Sequence, residues 1–107
     1  MKNQMSNKLL VVYNTCGING DNTDWYIECI NSLLDQDFDD YRVVLSSCLN
    51  TPKCFKKIYD TFGDKISYCY HSEPHTVNAT FNKTVQECVK KFGNFEGYLY
   101  VDSGVIA

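Results

Sequence analysis

Proline is scarce in this sequence: Pro52 and Pro74 are the only two in 107 residues. Proline locks φ and removes a backbone donor, so long stretches without it can form unbroken helices and central strands. A proline-rich linker or polyproline segment is excluded. Long apolar runs are lacking too, and none approaches the roughly 20 residues of a membrane-spanning helix. No basic block occurs. The ten Lys and Arg are scattered among thirteen Asp and Glu, for a net charge of −3. Nucleic-acid binding draws most of its affinity from clustered cations that neutralise phosphates, so no nucleic-acid partner is expected. None of the cysteine spacings is the Cys-x-x-Cys of zinc knuckles or redox dithiols.

What is present suits one folded domain spanning residues 1–107. A chain of this length can bury roughly two-thirds of its unfolded surface, and a composition of 44% hydrophobic and 21% charged residues argues against disorder. Six cysteines, Cys16, Cys29, Cys48, Cys54, Cys69 and Cys88, fall mostly inside apolar patterns, where a free thiol behaves as a small hydrophobe. The polar start, residues 1–8, lacks the apolar stretch of a secretory signal. The expectation is a cytoplasmic protein with reduced thiols.

Four short apolar runs alternate with three helical patterns. Leu9-Leu10-Val11-Val12-Tyr13 is continuous rather than alternating, as for a strand buried on both faces. Residues 23–36 change period: Ile27, Ile30, Leu33 and Leu34 form a helical stripe that an acidic turn, residues 35–40, stops. Tyr41-Arg42-Val43-Val44-Leu45 reads as a second strand that exits through Ser46, Ser47 and Cys48. The second helix has clear punctuation, with Thr51 to cap it, Pro52 at its first position and Gly63 just past its end. A third strand is expected over 66–70. A third helix carries Val77, Phe81, Val85, Cys88, Val89 and Phe92 on one face and closes at Gly93. Tyr98-Leu99-Tyr100-Val101 is the last strand and runs into Asp102.

Strand–helix–strand repeats of this kind predict an α/β fold: a Rossmann-like, mostly parallel four-stranded sheet flanked by helices. Ligands of such sheets bind beyond the C-terminal strand ends, which directs attention to loops 14–22, 46–50, 71–75 and the chain from Asp102 onward. Between His71 and His75 stands Pro74, which prevents the two histidines from sharing a helix face, and a solvated loop is expected there. Cys16-Gly17-Ile18-Asn19-Gly20 lacks the third glycine of a dinucleotide fingerprint, and the phosphate-binding loop of nucleotide hydrolases is missing. Receiver-like domains need acidic residues after the first strand and an aspartate after the third. Asn14-Thr15-Cys16 and His71-Ser72-Glu73 stand there instead.

Several segments do resemble one family in order. Val11-Val12-Tyr13-Asn14 is similar to the opening strand of the GT-A-fold glycosyltransferases, the large family-2-like group of nucleotide-sugar transferases. Cys29-Ile30-Asn31-Ser32-Leu33-Leu34-Asp35-Gln36 resembles that family's first helix, which ends in a Ser-Leu-Leu-x-Gln string. Residues 77–89, carrying Asn82, resemble its Ala-x-Asn helix. Gly97-Tyr98-Leu99-Tyr100-Val101-Asp102-Ser103-Gly104-Val105 resembles the strand leading into its Asp-x-Asp motif. The order and spacing agree over nearly the whole chain.

The resemblance implies the N-terminal, donor-binding half of a larger GT-A domain, holding a nucleotide-diphosphate sugar, a UDP-sugar first, for transfer to an acceptor hydroxyl. It places Tyr13 and Asn14 at the base. Ser46 and Ser47 stand where the family commonly has an aspartate, Asn82 and Lys83 lie where a diphosphate or sugar could rest, and Asp102 contacts the donor. It further implies Mg²⁺ or Mn²⁺ at Asp102, although Gly104 replaces the second aspartate of the motif. Transfer needs a second half that supplies the acceptor site and, in inverting members, a base within about 3 Å of the hydroxyl. The 107 residues alone are therefore expected to give no turnover. The alternative is a non-catalytic nucleotide-binding or assembly module that has lost the metal site. An open final strand also leaves an edge for self-association.

Overall fold

The computed structural model describes residues 8–17, 20, 22–35, 40–73 and 76–102, without the side chain of Val77. The elements run β1 (Leu9–Cys16), α1 (Thr23–Leu34), β2 (Tyr41–Cys48), α2 (Pro52–Phe62), a 3-10 turn (Gly63–Lys65), β3 (Ser67–His71), α3 (Val77–Phe92) and β4 (Gly97–Asp102). They form one four-stranded sheet in the order β3-β2-β1-β4, and every pairing is parallel. The chain thus moves outward from β1 through β2 to β3, then crosses back to lay β4 on the other side of β1. The direction of winding reverses between β1 and β4. This is a Rossmann-like α/β fold. No described helix is long and apolar enough to cross a membrane.

Alternation along the central strands builds a core on each face of the sheet. Val11, Tyr13, Val43 and Leu45 pack with Tyr26 and Ile30 of α1 and with Ile58 and Phe62 of α2. Leu10, Val12 and Val44 point the other way, against Phe81, Val85 and Cys88 of α3. The continuous apolar run of β1 follows from this double cover. Each such aliphatic side chain, when fully buried, stabilises the fold by roughly 1.5–3 kcal/mol.

Local chemistry sets the helix boundaries. Thr51 Oγ1 accepts from Cys54 N at 3.2 Å with Pro52 at the helix start, and Thr76 Oγ1 accepts from Ala79 N at 3.2 Å. Asn22 Oδ1 caps α1 through Trp25 N at 3.4 Å. Gly63 and Gly93 end α2 and α3 at φ of 53° and 94°, a region that costs other residues a Cβ clash.

The strands differ from expectation at their C-terminal ends. β1 continues through Asn14, Thr15 and Cys16, and β2 through Ser46, Ser47 and Cys48. Polar residues there read as exit turns, yet both strands have neighbours on each side, so the ladder holds their backbone groups. β3 begins and ends one residue later than the pattern over 66–70 suggests, and α1 stops at Leu34. The acidic stretch 36–39, His75 and Gly104 lie outside the described residues.

Candidate functional site

All four strands end on one rim, and the connections that leave β1, β2 and β3 start helices there. The partial positive charge of a helix N-terminus favours anions. In open α/β sheets the ligand crevice lies where the winding reverses, which here is between the ends of β1 and β4. Asn14 and Asp102 are register partners across that boundary, and Ser46 pairs with Asn14 on its other side. All three belong to the sheet face that α3 covers.

Asn14 is 7% exposed, and its Oδ1 is fully buried with no hydrogen-bond partner among the described residues. Beside it on β4, Tyr100 packs edge-on against Phe81 at 5.7 Å. The Tyr100 hydroxyl lies within electrostatic reach of both Asn14 and Asp102, but it completes no well-directed hydrogen bond. Burial, and then the Asp102 charge, raise its pKa. Leaving a buried amide oxygen unmatched costs about 1–3 kcal/mol. A buried amide, a phenol and a partly buried carboxylate thus come together at the reversal of winding.

Elsewhere on the rim, polar side chains bond to one another. Ser46 Oγ lies 3.1 Å from His71 Nε2, Thr84 Oγ1 donates to Ser46 Oγ at 3.1 Å, and Thr84 Oγ1 lies 3.0 Å from His71 Nε2. A serine against a histidine resembles a nucleophilic couple. Exposures of 0%, 1% and 0% for Ser46, His71 and Thr84 close it to any substrate, and the triangle is a structural lock between β2, β3 and α3. On the opposite face Thr15 Oγ1 and Ser47 Oγ each donate to Asn50 Oδ1 at 2.6 Å. Leu49, at φ 58°, is held by its own N–H donating to His71 O at 3.1 Å.

These positions correct several sequence expectations. Tyr13 cannot hold a base, because it is 0% exposed and its ring sits edge-on to Tyr26 at 6.5 Å inside the α1–α2 core. Ser46 and Ser47 are consumed by the two networks. His71 belongs to the sheet rather than a solvated loop. Asn82 and Lys83 are exposed on α3, and Lys83 lines a groove along β3, across the helix from the Phe81–Tyr100 contact. Asn14 and Asp102 alone of the expected set meet at the reversal of winding. Sequence reasoning missed Tyr100, Thr84 and Asn50. Tyr100 was legible as an alternating neighbour of Asp102, whereas Thr84 and Asn50 carry no local signal.

Among the described residues no group of three His, Cys, Asp or Glu side chains could cage a metal ion. Asp102 offers one carboxylate, which fits a cation held mainly by a ligand's phosphate oxygens and water. All six cysteines are free thiols. No protein-family model matches the chain, and no curated protein matches it.

Proposed function

We propose that this chain is a glycosyltransferase-type domain of the GT-A kind. It binds a nucleotide-diphosphate sugar, a UDP-sugar first, for glycosyl transfer to an acceptor hydroxyl. One observation carries the reading: Asn14 and Asp102 are paired where the winding reverses, with the buried Asn14 Oδ1 unmatched among the described residues. An amide acceptor beside a carboxylate suits the single N3–H donor of uracil or the hydroxyls of a ribose. The N-terminus of α1, the helix that follows β1, suits the diphosphate. Asp102 is the residue that would hold Mg²⁺ or Mn²⁺, and the cation would neutralise phosphate charge. The chain's own residues orient the nucleotide.

Calorimetric titration of UDP, with and without Mn²⁺, tests this. Saturable binding that Asp102→Asn weakens supports the donor site, and absence of binding in both conditions refutes it. Glycine at position 104, in place of the motif's second aspartate, favours the second reading of a non-catalytic binding module. That reading requires UDP binding of equal strength with and without Mn²⁺.

A further inference from the structure

The outer edge of β3 carries a second surface, independent of the donor crevice. β3 lies at the end of the sheet and pairs with β2 alone among the described residues. An open groove of about 630 Å³ runs along it, between the strand and α3. Its α3 wall carries Lys83, Lys90 and Lys91 against the single acid Glu87. In a chain of net charge −3, this is a local excess of positive charge. Glu87 offsets little of it: the Lys90–Glu87 pair is 4.0 Å apart and well exposed. On the other face of the same edge stand two large exposed rings, Tyr70 at 51% and Tyr59 at 49%. Phe55 contacts Tyr70 at 6.2 Å, and Tyr68 contacts Tyr59 at 5.5 Å.

A strand added to this edge would send alternate side chains to opposite faces. One set would meet the lysines of α3 and the other the exposed tyrosines. We propose that the β3 edge docks an extended segment of a partner protein in which acidic and apolar residues alternate. Backbone ladder bonds to β3 would supply affinity, and the two unlike faces would select the sequence. The lysines that keep unrelated edges apart also favour an acidic strand.

A capped peptide of alternating Glu and Val is the probe, titrated into the ¹⁵N-labelled protein. The expected result is saturable shifts of backbone amides within residues 67–71. Triple charge reversal, K83E/K90E/K91E, should weaken binding at least about tenfold while leaving the circular dichroism spectrum unchanged. Tyr70→Ser should weaken it by a smaller factor. The same peptide N-methylated at alternate residues, and a Lys–Val version, should not bind. The proposal is overturned if β3 amides fail to respond, if the Lys–Val peptide binds equally well, or if the charge reversal has no effect. It is also overturned if β3 amides shift with protein concentration alone, which would assign the edge to a second copy of the chain.

Discussion

Asn14 of β1 and Asp102 of β4 are neighbours in register, on the one strand boundary where the sheet changes its direction of winding. Residues 88 positions apart in sequence thereby become adjacent at the C-terminal rim. Among the described residues the Asn14 Oδ1 has no donor, and the residue is only 7% exposed. A polar group buried without a partner is a feature that folding by itself does not favour.

Stability and binding should therefore separate at this residue. Asn14→Ala removes an amide whose oxygen has no hydrogen-bond partner among the described residues, so the urea midpoint should correspond to a change below about 1 kcal/mol. UDP affinity, read by calorimetry, should fall about tenfold or more, equivalent to about 1.4 kcal/mol. Asp102→Asn should lower affinity similarly. A variant that loses stability while keeping UDP affinity would contradict the assignment.

The His71 triangle should behave in the opposite manner. His71→Ala empties a site that is 1% exposed and removes the ring nitrogen that both Ser46 and Thr84 contact, so a loss of about 3 kcal/mol is expected in urea unfolding. Ser46→Ala and Thr84→Ala should each cost less. Their double mutant should cost less than the sum, since the two groups share partners. Additive losses would show that the three side chains do not act as one unit.

Asn50 joins two strand ends through a single oxygen that accepts from both Thr15 and Ser47. Asn50→Ala should destabilise by about 2 kcal/mol, because two buried hydroxyls lose their acceptor together. Thr15→Val should cost about half as much. Thermal unfolding of the pair checks the ratio.

Thiol chemistry supplies a test with a definite pH direction. Burial, with Cys69 adding to it, pushes the Cys88 thiol up to about 11 from its usual 9.0. A thiol whose folded pKa is raised contributes fully below the unfolded value and loses that contribution as pH climbs toward the folded one. Stability should thus be level with respect to this group below about pH 9 and decline from there toward about pH 11. Cys69, also raised by burial, and Tyr68, raised to about 12, act in the same direction. Cys88→Val should make the decline shallower. At about pH 8, iodoacetamide should label exposed Cys16 well before Cys88, as peptide mass spectrometry would show.

Much of the architecture was legible locally. The stripe of Phe55, Ile58 and Phe62, the cap at Thr51 and the stop at Gly63 mark α2 without any tertiary information, because capping and periodicity act within a turn or two. Strand ends were harder to read. Asn14, Thr15, Ser46 and Ser47 have the chemistry of turns, and only partners from distant segments convert them into ladder residues. Tyr13 failed as a contact for a ligand for a related reason. An aromatic residue near a strand end can face either side, and the parity that sends Asn14 to α3 sends Tyr13 into the opposite core.

By itself, then, the amino-acid order determined an α/β chain with a buried central strand and helices of defined length, since propensity, periodicity and caps are short-range forces. Tertiary structure alone decided the strand order. That order set where the winding reverses, which paired Asn14 with Asp102, enclosed His71 between Ser46 and Thr84, and put β3 at the end of the sheet among the described residues. Those relations depend on which faces of remote segments bury together, and no local pattern encodes that sum.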